Sequence, residues 1–494
     1  MAKRILTLAA LAAFLALGAA AGAVTPGALD PTFGSGGRVT VNMNTQVSDA
    51  QAVVVQPDGR IVVGGGAGEA DFGLARLKPN GALDSAFGSG GKVTTSLGSF
   101  GAAVYGLALQ PNRKIVAVGI DYLSQYASDF VVARYNPNGS LDSSFGNGGI
   151  VTTDFARLDT GHAVVVQPDG TIVVAGEAIG PGGPTIALAR YRPDGSLDPG
   201  FGSGGMVQSH VGFGAGTDIA RQADGKLVVS GTVSGNPGTQ FALLRFNPDG
   251  SLDTSFGSAG VAEAPVGSWS TPYGVALQPD GKILAAGNAA DSYGHYGWGV
   301  VRLNADGTMD DSFGHGGAVV TNTGPSGGVA SAIAVQQNGK IVTAGDSPFE
   351  YATDGANLTV VRYEPNGALD RRFGKNGIVN TTFGNVEYNY GNGLALQRDG
   401  KILVSGGTMT AGGPEVIALA RFFGDTCIVP DVKRKTLAAA KRAVTRAGCS
   451  PGKVRKAFST RIARGRVISQ KPAARASVVA GAKVAFVLSK GRGR

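Results

Sequence analysis

The chain has 494 residues, 80 of them glycine, two cysteines and a formal net charge of +9. So much glycine argues against a helical protein and suits a chain that turns every few residues. The charge is unevenly spread, with 18 Lys and Arg against one acid from Cys427 onward and 26 against 34 before it, which describes an acidic body with a basic tail rather than a nucleic-acid-binding protein.

At the start, Lys3 and Arg4 precede the apolar run 5–20 and the small residues Ala21, Gly22 and Ala23. This pattern predicts a secretory signal over 1–23, with no transmembrane anchor after cleavage. Residues 24–425 are then organised by one unit repeated seven times, with its FG turn at Phe33, Phe87, Phe145, Phe201, Phe256, Phe313 and Phe373. Steps of 54 to 60 residues mean one supersecondary unit per repeat, stacked because a single unit cannot bury its apolar face. In the third unit four apolar runs are separated by turn residues: 149–153, 163–167, 171–175 and 186–191. Gln167-Pro168-Asp169-Gly170 reads as a tight hairpin, since Pro fits the first turn position and Gly supplies positive φ.

Four strands in each of seven units, with no helix between them, predict an all-β fold, a seven-bladed β-propeller of four-stranded blades. A right-handed β-solenoid is the competing architecture, disfavoured because these turns make antiparallel hairpins. The first unit begins at its tail, Leu29 to Gly34, and the last ends at Phe423-Gly424-Asp425 without one, so the N-terminus is expected to complete the last blade. The combination of LDxxFGxGGxV, QPDGKIxVAG and ARYxPDG resembles the delta-60 repeat family, and the resemblance implies a propeller-like secreted bacterial protein without implying an activity.

Three columns are invariant across the repeats: a Gln (Gln56 to Gln397), a Gly (Gly65 to Gly406) and an Arg (Arg76 to Arg421). A site used once does not need seven copies, so the Arg column and the Leu-Asp aspartates such as Asp142 and Asp198 read as structural. An Arg–Asp pair there would fix the turn from the fourth run of one unit to the first run of the next. Spacing is constant from Gln to Gly and from Arg to the next Phe, and variable elsewhere, which gives the ring one uniform and one variable face. Specificity is expected on the variable face. It gathers Tyr105, His162, Trp269, Tyr273, Tyr293, His295, Tyr296, Tyr388 and Tyr390 as candidate ligand-binding residues. Rings beside short polar side chains suit a glycan or peptide. Five residues before each invariant Gln stands a column that is polar or aromatic yet different every time: Gln51, Tyr105, His162, Thr217, Tyr273, Ser331 and Asn392. Trp298 falls in the column of Phe72, Phe130 and Phe241 and is assigned to the core.

Catalytic signatures are poor. The four histidines have no ligand spacing, no GxSxG elbow occurs, and no catalytic residue, metal or cofactor is expected. The alternative is an exported carbohydrate-active hydrolase or lyase, or an oxidoreductase, with its site in the propeller mouth.

In the last segment, 426–494, Thr436 can cap a helix over 437–447 that Gly448 ends, followed by strands over 452–456, 465–470 and 483–489. Cys427 and Cys449, an even pair in a secreted chain, read as one disulfide. Val429-Pro430-Asp431-Val432, Gly465-Arg466-Val467-Ile468-Ser469-Gln470 with Pro472, and Gly481 to Gly491 make this small α+β segment similar to a PASTA domain, with Arg434 and Arg475 in place of the usual glycines. The resemblance implies contact with peptidoglycan, and the basic charge would attract anionic wall polymers in any case. The expectation is thus an extracellular, wall-associated monomer that binds rather than catalyses.

Overall fold

The computed structural model describes residues 25–68, 71–97, 100–210, 214–234, 238–290, 295–324, 327–348, 356–384, 388–409, 413–479 and 482–492. The expected signal segment 1–23 and Tyr293 lie outside them.

The repeats form seven four-stranded antiparallel blades of a propeller. In the third blade the strands are Leu158–Val166, Ile172–Gly180, Gly183–Tyr191 and Met206–Ser209, so the inner three run further toward the variable face than the apolar runs indicated. Blade and repeat are offset by one strand. The run after each FG turn does not join the strands that follow it in sequence; Ile150–Thr153 pairs with Ala127–Tyr135, the third strand of the preceding blade. The stretch between the third and outer strands, 136–149 here, carries the Pro-Asn-Gly and FG turns that fold the chain back onto the third strand, and the short segment 154–157 then leads into the next blade.

The same offset closes the ring. Arg38–Val41 pairs antiparallel with Glu415–Phe422, in the register Arg38 with Ala420 to Val41 with Ile417, so the N-terminus supplies the outer strand of the seventh blade. Between neighbouring blades lie apolar cores made by the alternating inward residues, and one of them joins Val53, Ile61 and Val63 of the first blade to Leu403, Ile417 and Leu419 of the last. No gap is left for an unpaired sheet edge at the seam.

All seven arginines of the invariant column pair through Nε or Nη2 with the Leu-Asp aspartate of their own blade. Each guanidinium also lies over the Phe of the following FG turn, 4.4 to 4.7 Å from the ring centroid. A second guanidinium nitrogen reaches into the next blade: Arg134 Nη1 donates to Pro193 O at 2.6 Å and Arg245 Nη1 to Ala305 O at 2.5 Å. Every arm of that column is therefore a clamp, fixing one turn and tying one blade to its neighbour. Burial alone would raise the aspartates, but hydrogen bonds from Lys114, Ser144 and Arg134 hold Asp142 well below the usual carboxylate range.

The basic tail folds as expected of a PASTA domain. Leu437–Arg446 is a helix whose Thr436 cap accepts from Ala439 N at 3.3 Å, with Ala440 and Val444 buried. Ser450–Ala457, Lys483–Ser489 and Val467–Lys471 form a three-stranded sheet, and Thr426–Ile428 pairs with Ser477–Val479 in a small second one. Cys427 and Cys449 are joined in a disulfide across a sequence separation of 22. Arg434 and Arg475 sit at φ of 64° and 66°, which explains why glycine suits those positions. No helix among the described residues is long and apolar enough to cross a membrane.

Candidate functional site

The innermost strands converge on the ring axis, and their first residues face it on the variable side. There they enclose an open cavity of about 570 Å³. All seven members of the variable column, Gln51, Tyr105, His162, Thr217, Tyr273, Ser331 and Asn392, line it. The geometry follows from the sequence: each inner strand carries one such residue at the same height, so a sevenfold scaffold presents seven independent choices to one space. A second, narrower cavity of about 370 Å³ lies toward the uniform face, where the invariant Gln56, Gln110 and Gln167 line it.

Of the candidate aromatics, Tyr105, His162, Tyr273 and Tyr390 line the axial cavity. Tyr105 and His162 touch, with ring centroids 5.4 Å apart and tilted by 50°. Trp269, His295, Tyr296 and Tyr388 are not among its lining residues. Trp269 meets Tyr296 edge to face with centroids 6.0 Å apart, at the starts of the inner and third strands of the fifth blade, and Tyr388 is exposed at the start of the seventh blade's inner strand. Trp298 is fully buried, its Nε1 donating to Asp346 O at 3.1 Å.

Carboxylates dominate the cavity's electrostatics, and most were not singled out from sequence. Asp218 and Asp346 line it, and among the described residues no lysine or arginine does. Burial pushes Asp218 up to about 6, although it accepts hydrogen bonds from Val275 N and Ile219 N, each at 2.8 Å. Asp346 is raised by burial against one bond from Val329 N at 2.8 Å. Tyr390 donates its hydroxyl to Glu415 Oε1, and burial, the charge of Asp49 and that bond drive its phenol well above the ordinary value. A tyrosine so placed is a donor near neutral pH and not a base. Gly407 makes room for this contact, because a Cβ there would collide with the Tyr390 hydroxyl and Glu415. On the other wall His162 Nε2 lies 3.9 Å from Glu177 Oε1.

Glu177 and Asp346 share one column, the residue after the invariant Gly, which reads Gly66, Ile120, Glu177, Thr232, Asn288, Asp346 and Gly407. Its variability between repeats was the signal that could have found it. Asp218 interrupts a neighbouring column of alanines and glycines, Ala52, Gly106, Ala163, Gly274, Ala332 and Gly393, where only one acid occurs. Chemically the site offers flat rings, short polar groups and several acids. Such a lining can hydrogen-bond hydroxyls or ammonium groups and would repel an anion.

Comparison with known proteins follows this division. A domain of unknown function with β-propeller fold, DUF5122, matches residues 56–87, 110–145, 167–201, 222–256, 278–313, 336–373 and 397–425, and a PASTA domain matches 428–490. No curated protein matches the chain. Among solved structures, the polysaccharide lyase Uly1 is similar at 11% identity over 77% of this chain and 90% of that one, with a TM-score of 0.44. A putative oxidoreductase (glucose dehydrogenase) from Thermus thermophilus is similar at 16% identity over 78% of this chain and 100% of that one, with a TM-score of 0.36. The extracellular region of the Ser/Thr kinase PrkC from Staphylococcus aureus is 31% identical over 14% of this chain and 26% of that one, with a TM-score of 0.13.

Proposed function

From a chain that consists of seven DUF5122 β-propeller repeats followed by a PASTA domain, we propose an exported binding protein of the cell envelope. Residues 1–23 direct export, 24–425 form the recognition body, and 426–494 hold it at the wall. The observation that carries the reading is the convergence of seven unlike residues on one axial cavity, whose acids and tyrosines fit a neutral or amine-bearing oligosaccharide or peptide. PASTA domains in general bind peptidoglycan-type ligands, and 18 basic residues against one acid add attraction to anionic wall polymers. The protein acts as a monomer and needs no nucleic acid or cofactor.

Two measurements test this. Purified cell walls should retain the full chain, release it with rising salt over the range where the Debye length shortens from about 10 Å to 3 Å, and fail to retain a chain ending at residue 425. Equal retention of the shortened chain would sink the anchor. A glycan and muropeptide array should give binding that Tyr273→Ala and Tyr390→Phe weaken. A hydrolase is the second reading, favoured by the Asp49, Tyr390 and Glu415 group, and turnover of an arrayed compound would establish it over simple binding. A lyase with Tyr390 as base is disfavoured by the raised phenol.

A further inference from the structure

Away from the axis, the second blade carries a cluster of acids that the cavity does not use. Asp121 and Asp129 face each other directly across two strands. Asp154 follows Thr153, which pairs with Phe130, and so continues the same row, while Asp159 arrives from the crossover into the third blade. Ligand oxygens of Asp129, Asp154 and Asp159 all lie within 4.8 Å of one another. Like charges placed opposite each other on adjacent strands are destabilising, and nothing nearby offsets these. Among the described residues none of the four acids forms an ion pair with Lys, Arg or His, and Arg157, on the crossover between Asp154 and Asp159, donates instead to Tyr126 O at 3.1 Å and lies over that ring.

Asp159 is the decisive member. Its side chain is fully buried, and Oδ2 accepts from Phe155 N at 2.6 Å and Ala156 N at 3.0 Å. Oδ1 is buried with no partner, and so is Oδ1 of Asp121, whose residue is 4% exposed. Two bare carboxylate oxygens in a buried acidic cluster would cost several kcal/mol unless a cation satisfied them. Ser128 holds the Asp159 backbone on both sides, its hydroxyl bonded to the Asp159 carbonyl and amide at 3.1 Å each, and the side chain cannot rotate away without breaking its bonds from Phe155 N and Ala156 N.

We propose that Asp129, Asp154 and Asp159, with Asp121 beside them, bind a calcium ion. All-oxygen donors select a hard cation over zinc or copper, and carboxylates brought together from three segments suit the flexible coordination of calcium better than the strict octahedron of magnesium. The ion pins the crossover 154–159 to the second blade. That crossover leads straight into the strand bearing His162, so the cation steadies one wall of the axial cavity from outside.

The test uses the full chain stripped with a chelator and titrated with calcium chloride, followed by calorimetry and thermal melting. One site should appear with a dissociation constant of about 0.1–1 mM, the range of extracellular calcium modules, and Tm should rise saturably by at least about 2 °C. Asp159→Asn and the exposed Asp154→Asn should each weaken binding by at least about tenfold, and Asp154→Asn serves if the buried variant fails to fold. Asp224→Asn, on a turn of the uniform face, should bind as the wild type does. Absence of heat and of a Tm shift up to about 10 mM calcium would overturn the site, as would wild-type binding by Asp154→Asn.

Discussion

Ring closure rests on one clamp whose two halves come from opposite ends of the propeller, and Asp30→Ala tests it. Asp30 is fully buried and accepts from Arg421 Nε at 2.9 Å, Lys401 Nζ at 3.1 Å and Thr32 Oγ1 at 2.7 Å. Removing it leaves Arg421, whose side chain is 5% exposed, without its carboxylate and beside Lys401, which keeps Asp399 at 3.0 Å. Breaking a buried pair from one side costs about 3–5 kcal/mol, and at about 2.1 cal/mol/K per residue over some 400 residues this lowers Tm by about 4–6 °C. Asp142→Ala is the matched control, because it breaks the same constellation of Arg134, Lys114 and Ser144 inside continuous chain. Both variants should lose similar stability, but only Asp30→Ala should release the N-terminal strand. The assay is hydrogen exchange together with limited proteolysis. Amides of Arg38–Val41 and Ile417 to Ala420 should exchange faster in Asp30→Ala and stay protected in Asp142→Ala. If both variants protect this seam equally, the N-terminal strand is held by its sheet pairing alone and the clamp is not what closes the ring.

Asp218 sets a pH dependence of the opposite sign from the clamp aspartates. Its folded value of about 6 lies above the unfolded one, so the native state holds the extra proton and its contribution falls as pH rises through about 4 to 6. Asp218→Asn should flatten that slope in urea melts and stabilise the protein at pH 7 by about 1–2 kcal/mol, since the amide keeps only one of two backbone bonds. Asp370, by contrast, is held down to about 2; burial opposes this, and bonds from Lys340 and Arg362 prevail, so its contribution is present above pH 4 and lost as pH falls toward 2. A variant lacking this pair should be less stable at pH 7 and lose the part of the wild type's pH dependence that lies between about 4 and 2; an unchanged slope there in urea melts would refute this. Reducing the Cys427 to Cys449 bond should lower the tail's stability by about 3 kcal/mol and leave the propeller transition in place; a shift of both transitions in calorimetry would contradict separate folding. Arg434→Gly and Arg475→Gly should each stabilise the tail by about 0.5–1 kcal/mol, because left-handed strain relieved exceeds the entropy that glycine adds to the unfolded chain.

What could be read from sequence was what repeats. The constant spacing from each Arg to the next Phe predicted a fixed turn, and the clamp of Arg, Asp and Phe supplies it. The truncated tail of the last unit predicted the borrowed strand. Strand assignment within the blade was not legible, because Ile150–Thr153 carries nothing that says whether it pairs forward or back; the fold pairs it back with Ala127–Tyr135. Site residues divided the same way. The Tyr105 and His162 column was visible because one position varied against fixed neighbours. Asp49 and Glu415 were not, since they meet Tyr390 from loops of variable length or another blade, and Asp218, the one acid in its column, is placed by the backbone of Val275 in the next blade. The acids at 121, 129, 154 and 159 have no shared spacing at all, and only the lateral packing of strands brings them together.

This division has a physical cause. Seven equivalent clamps sit at the turn end of the blades, each an ion pair on an aromatic face, and removing one partner of a buried pair costs several kcal/mol. At the other end the inner strands are already held by their ladders and by the apolar cores behind them. Tyr273, 36% exposed, sits at the bulge between Pro272 and Gly274, outside the regular pairing of its strand. The column it belongs to is therefore free to differ at all seven positions without weakening the ring, and the freedom is greatest where the chain faces the axial cavity. A scaffold that separates its stability from its recognition surface in this way can alter what it binds by changing one residue per blade, while Gln, Gly and Arg keep the ring closed.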